Sequence, residues 1–339
     1  MKLLFVPLLL VAAFPVFAKP PQAVDACQYF IDEPGKYRLT NDVLDCSDFG
    51  VAIVVSDVTL DLKGHTISCA FSEIRTGGII VGSYVFGGED YVSNVTVTNG
   101  AVTGCSDGIL LAGASDSKVT KMASWGNRLW YGPDGPVSGT GITVWLSENN
   151  VIMHNHVYGN EDVGIFSWYA SGNLYKHNLA TGNFMGIRTG HENNAKVLCN
   201  RTHENALGIV LGAKSNDSLV RGNLVTYNWY DGISLIGVIM PPEEAGGPLQ
   251  ISEVSAGNTI RSNIVEHNDL GGASATDLFE GYWDFSAGGA EPSYLLHPEG
   301  CMNTWKYNQY ESAFAPDGCI GPSVVLDEDD VCALDDNDD

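Results

Sequence analysis

Three residue columns recur down the middle of the chain at a spacing of 22 or 23 residues, and this repeat restricts the fold more than any other feature of the sequence. One column is Asn155, Asn178, Asn200, Asn223 and Asn263; a second, five residues on, is Asn160, Asn183, Asn205, Asn228 and Asn268. Both step by 23, 22, 23 and then 40. The third is a Gly-Ile pair: Gly141-Ile142, Gly164-Ile165, Gly186-Ile187, Gly208-Ile209 and Gly232-Ile233. Between these marks lie β-prone runs such as Val151 to Met153, Leu174 to Lys176 and Leu219 to Arg221, too short for helices and bounded by turn residues. The period is one turn of a coil. Asn accepts the left-handed backbone region, and its amide can bond the equivalent amide one coil up and down. The Asn columns are therefore expected at turns between stacked parallel strands about 4.8 Å apart.

The Asn-Gly-Ile repeats resemble the right-handed parallel β-helix family, as in NosD-type, pectate-lyase-like and mannuronan-epimerase-like proteins, over roughly residues 26 to 320. The expected fold class is all-β: a single-domain right-handed parallel β-helix, a solenoid with disulfide-tied ends, in which Ile142, Ile165, Ile187, Ile209 and Ile233 stack inside. Upstream the coils lengthen but keep the same grammar. Val58 to His65 and Val95 to Gly100 look like successive rungs, and Cys69 and Cys105 each fall five residues after a rung-ending glycine, Gly64 or Gly100. That register puts the two cysteines within disulfide reach. Cys27 with Cys46 and Cys301 with Cys319 are expected to tie the first and last coils, because solenoid ends otherwise expose edges and core. Cys199 and Cys332 are left over.

Residues 1–18 have the layout of a cleaved secretory signal: Lys2, an apolar run, then Val16-Phe17-Ala18. Eight cysteines in an exported chain are expected to be mostly paired, so the protein is read as secreted or periplasmic. Residues 321–339 read as an acidic, disordered tail. A calcium site there is the alternative, but no Gly-punctuated ligand loop accompanies the acids.

Seventeen basic residues against 41 acidic ones give a net charge of −24, which repels nucleic acid and anionic membranes. No stretch after the leader is apolar enough to insert into a membrane. Residues 121–221 differ locally, with eight of the basic residues and seven acids, so an anionic sugar chain could still approach there. No zinc-protease helix, GxSxG elbow, P-loop or strand-bound GxGxxG is present. The Asp-Pro-His signature of mannuronan epimerases and the paired aspartates of polygalacturonase-like hydrolases are also missing, so no catalytic residue transfers by motif.

Position within the coil is more informative. Aligned on Gly-Ile, an outward column holds Thr143, Phe166, Arg188, Val210 and Ser234; two residues on come Trp145, Trp168, Gly190, Gly212 and Ile236; then Leu146, Tyr169, His191, Ala213 and Gly237 at the rung end. The preceding turns add Trp130, Tyr230, Asp162 and Asp231. Aromatic rings beside Arg188, His191, Glu192 and Lys214 suit a sugar-binding groove, since pyranose C–H faces pack on rings and hydroxyls need donors and acceptors. Trp145, Phe166, Trp168, Trp130, Tyr230, Asp162 and Asp231 are the candidate substrate-binding residues. Tyr169 and His191 are the candidate base and acid, with Arg188 and Lys214 neutralising a substrate carboxylate. Packing of these aromatics against neighbouring coils is the plainer alternative for each ring taken singly.

The resulting expectation is a secreted carbohydrate-active protein acting on an extracellular polysaccharide, by lyase or epimerase chemistry. A hydrolase would use paired carboxylates, with Asp162 and Asp231 the candidates. The rivals are a non-catalytic glycan-binding surface protein and a NosD-like periplasmic copper accessory protein. The copper reading draws on His154, His177 and Cys199, which each precede a ladder Asn and so stack in one column. Strand alternation from Ile152, Tyr175 and Val197 points that column inward, where these side chains fill space, and no metal ligand is assigned.

Overall fold

The computed structural model describes residues 19–70, 75–88, 90–132, 135–240, 250–251, 255–268, 270, 276–284, 293–296, 300–327 and 332. The leader at residues 1–18, most of the excursion after Gly237 and most of the acidic tail lie outside the described residues.

Each regular coil carries three short parallel strands and three corners. One coil runs Val151–Met153, His156–Tyr158 and Val163–Trp168; the next runs Leu174–Lys176, Leu179–Thr181 and Met185–Gly190, paired to the first in the same order. Repeated from Gln22 to Phe314, this gives two long sheets of 19 and 13 strands among the described residues, parallel except where Gln250–Ile251 and Ser293–Leu296 add antiparallel strands to the second. The chain is an all-β, right-handed parallel β-helix. The upstream rungs pair as read from the sequence, Thr96 to Thr98 lying beside Thr59 to Asp61.

The interior is a stack of like side chains. Ile79, Ile109, Ile142, Ile165, Ile187, Ile209 and Ile233 form one register column, every member fully buried. Branched side chains suit this position because each packs on its copy one rung away. The preceding glycines have an equally direct cause. A Cβ on Gly141, Gly164 or Gly186 would point inward and lie 2.6 Å from the glycine carbonyl of the next coil.

The Asn columns are hydrogen-bonded ladders at two of the corners. Asn178 Oδ1 accepts from Asn155 N at 3.0 Å and Asn155 Nδ2 at 3.1 Å, while Asn178 Nδ2 donates to Ile152 O at 2.8 Å and Asn200 Oδ1 at 3.0 Å. The same pattern links Asn127, Asn160, Asn183, Asn205, Asn228 and Asn268. These buried amides therefore satisfy corner backbone groups that no strand could reach. The left-handed turn residue is not the Asn, as the sequence suggests, but the residue before it: His154, His177, Cys199, Gly222, Ser262 and Tyr307 have φ of 56, 54, 54, 66, 53 and 55°.

That shift overturns the inward placement of the His154 column. Strand alternation stops at a left-handed residue, so these side chains turn out of the coil. His154 is exposed and His177 half-buried, their rings stacked 5.0 Å apart.

The disulfides are Cys27–Cys46, Cys69–Cys105 and Cys301–Cys319, with Cα separations of 5.4, 4.8 and 5.1 Å. Cys199 and Cys332 take part in no disulfide.

Candidate functional site

The outward side of the strands Thr140–Trp145, Val163–Trp168 and Met185–Gly190 carries a cavity of about 340 Å³ lined by Arg75, Thr143, Trp145, Phe166, Trp168 and Arg188. Register alone assembles much of it: Thr143, Phe166 and Arg188 are paired across successive coils, as are Trp145, Trp168 and Gly190. Gly190 leaves the room that the Trp168 ring occupies, because a Cβ there would run into that ring.

Arg188 is the central group. Its guanidinium carbon lies 5.3 Å from the Phe166 ring centroid and 5.9 Å from that of Trp168, in reach of both π faces. Burial pulls its pKa down, and the Asp162 carboxylate opposes that shift. Burial in turn pushes Asp162 up, with Arg188 opposing. Among the described residues Arg188 Nε is buried with no hydrogen-bond partner, a costly state for a charged donor unless an anion arrives.

Arg75 is the second cation, and sequence reasoning missed it. It binds Asp107 through Nε and Nη2, both 2.7 Å from Oδ2; Asp107 Oδ1 accepts from Thr143 Oγ1 at 2.7 Å. Burial works against the Arg75 charge, but Asp107 outweighs it and the guanidinium pKa is raised. Arg75 sits in a long, irregular upstream coil, so no repeat register points to it.

At the rim, Tyr169 and His191 occupy the left-handed corner positions that follow the two strands, with φ of 53 and 48°. Their rings stack at 4.6 Å, and His191 meets Trp168 edge-on at 4.6 Å. The sequence-predicted Trp145, Phe166, Trp168, Arg188, Tyr169 and His191 are thus brought together. Lys214 is exposed at the same corner one coil on, beside Ala213, whose carbonyl accepts from His191 N at 2.7 Å.

Other assignments fail. Asp231 is fully buried and accepts from Ser234 Oγ at 3.0 Å and Thr276 N at 3.1 Å, which removes it from any substrate surface and removes the Asp162–Asp231 hydrolase pair. Glu192 is also fully buried, on the inner side of the coil, where Ser167 Oγ, Asn173 Nδ2 and Tyr175 OH donate to it. The outward column does not stay open either. Val210 and Ser234 are buried, and Val163, Met185, Leu207, Val210, Ile236 and Phe279 form a second apolar cluster. Tyr230 is 41% exposed, at the corner before Ile233, and does not line the cavity. Trp130 opens an antiparallel hairpin with Gly135–Val137; its side chain lies outside the described residues.

Residues 40–202 match the family model described as a right handed beta helix region, which agrees with the coils seen there. No curated protein matches the sequence. Among solved structures, the Dettilon tailspike protein is similar over 87% of this chain, with 13% identity and a TM-score of 0.58; the chain spans 55% of that protein's length. The A-module of the Azotobacter vinelandii mannuronan C-5 epimerase AlgE6 is similar over 86% of this chain and 81% of its own, with 15% identity and a TM-score of 0.50. At these identities the likeness is one of fold. No helix among the described residues is long and apolar enough to cross a membrane.

Proposed function

We propose that the protein is an exported, carbohydrate-active β-helix that binds an acidic polysaccharide across the cavity and acts on it by proton abstraction, as a lyase or an epimerase does. The observation that carries this reading is Arg188: a guanidinium with a buried, unpartnered Nε, framed by Phe166 and Trp168. A uronate residue fits both demands at once. Its carboxylate answers the guanidinium, and its C–H face packs on the rings.

In this reading Arg188, with Lys214 at the outer rim, stabilises negative charge spreading from the carboxylate into the enolate as the C5 proton leaves. His191 or Tyr169 takes that proton and the other returns one. Return to C5 from the opposite face inverts the sugar. Expulsion of the C4 oxygen, with a proton delivered to it, breaks the chain and leaves a double bond. Three disulfides are compatible with an oxidising compartment, and one of the similar structures is a module of a mannuronan C-5 epimerase, which assigns no residue here.

The test is incubation of the mature chain with neutral and uronate polysaccharides, with and without calcium. Ultraviolet absorbance from unsaturated ends identifies a lyase, and proton NMR of C5 inversion an epimerase. Binding without turnover identifies a glycan-binding surface. If no uronate polymer binds or reacts, or if neutral chains bind equally well, the assignment of Arg188 as a carboxylate receptor is wrong.

A further inference from the structure

We propose that His177, Cys199 and Cys332 form a binding site for one thiophilic metal ion, zinc(II) or copper(I), on the side of the coil away from the carbohydrate cavity. One nitrogen and two sulfurs, one from each residue, all lie within 4.8 Å of one another. The inference is independent of the glycan reading.

The coil explains how the set is built. His177, half-buried, and Cys199, buried, are successive members of the left-handed corner column, separated by one rung. The next member is Gly222, which has no side chain. Cys332, from beyond the last coil, occupies that level: its Sγ lies 3.3 Å from Gly222 O. Three ligand positions thus come from three consecutive levels, the third supplied by a distant segment where the column itself offers only backbone. The two thiols are hydrogen-bonded to each other. His154, His156 and His177 line an adjoining open cavity of about 460 Å³, which gives an ion a route in.

The chemistry matches the donor set. Two thiolates and an imidazole are soft and borderline ligands that exclude calcium and magnesium and favour zinc(II) or copper(I). A tetrahedral zinc with Zn–S near 2.3 Å holds its sulfurs about 3.8 Å apart, so closure from a set already within 4.8 Å requires movement of no more than about 1 Å. Binding releases the two thiol protons, and the neutral imidazole contributes its lone pair.

The experiment uses the full chain, reduced and handled without oxygen. Zinc(II) and copper(I) are titrated against chromophoric chelators, and cobalt(II) replaces zinc as a probe for thiolate-to-metal charge-transfer bands. One ion per chain is expected. C332S, which alters no coil, should weaken binding at least about 100-fold and remove much of the charge-transfer intensity, and H177A should weaken it about 10- to 100-fold. Circular dichroism checks that both variants keep the fold. The chelator that is outcompeted decides between zinc and copper. Failure to compete for either ion, binding unchanged in C332S, or a Cys199–Cys332 disulfide in protein recovered from an oxidising compartment would overturn the proposal.

Discussion

Glu192 makes the protein's stability depend on pH in a direction opposite to that of an ordinary salt-bridged acid. Its carboxyl is fully buried, and burial pushes its pKa from 4.5 up to about 7 despite hydrogen bonds from Ser167, Asn173 and Tyr175. A carboxyl ionising near 7 in the fold and near 4.5 in the unfolded chain differs in protonation free energy by about 3 kcal/mol between the two states. Because the folded value is the higher one, the folded state binds the proton more tightly. That stabilisation is complete below about pH 4.5 and is lost as pH rises through about 7. Glu192→Gln keeps the shape and one acceptor oxygen, and Tyr175 OH can turn to accept from the new amide. The variant therefore lacks the titration but retains a satisfied site. Wild type and variant should be unfolded in denaturant side by side, so that all other titrations cancel. The stability of the variant relative to wild type should rise by about 3 kcal/mol between about pH 4.5 and pH 8. A difference flat to within about 1 kcal/mol would mean that Glu192 ionises at its ordinary value and that the interior around it is wet.

Four further outcomes follow from named contacts. Arg188→Ala should weaken an anionic glycan by about 2 kcal/mol or more in isothermal titration and leave thermal stability nearly unchanged. Gly190→Ala, which touches no substrate, should displace the Trp168 ring and weaken neutral and acidic chains alike, with both affinities read by the same titration. Asn178→Ala removes an amide that makes four hydrogen bonds and strands donors on Asn155, so denaturant unfolding should show a loss of about 3 kcal/mol or more. Replacing Cys69 and Cys105 together by Ser frees a loop of sequence separation 36 and should cost about 4 kcal/mol by the same measurement.

The ladders, the isoleucine column and the three disulfides were legible in the sequence because each coil must remake the same backbone bonds one rung further on. A residue type that solves a corner once is selected again at the next coil. Asn178 and Ile187 therefore announce themselves by spacing. The site is legible only where it borrows that register. Phe166, Arg188, Trp145 and Trp168 are placed by counting, but Arg75 reaches the cavity from an irregular coil that no period predicts. Counting does not place Asp231 and Glu192, because an outward-looking turn position need not meet solvent: both are fully buried, and Glu192 turns into the core. His154 and His177 escape the count for a different reason: alternation holds along a strand and fails at a left-handed corner.

The amide ladders also have a polarity. Each Asn donates toward the next coil and accepts from the one before, so a run of amides can be handed on indefinitely by adding coils. A carboxylate accepts and hands nothing on. The column through Asn228 and Asn268 stops at Asp277, whose oxygens also take the Glu311 and Ser312 N–H groups, and the column through Asn258 and Asn303 stops at Glu280, which also takes the Trp305 indole. These two acids act as terminators written into the stack. They close those two columns near the end of the stack, whereas the column through Asn223 and Asn263 runs on to an amide, Asn308, which accepts from Asn263 and donates back to Ile260 O.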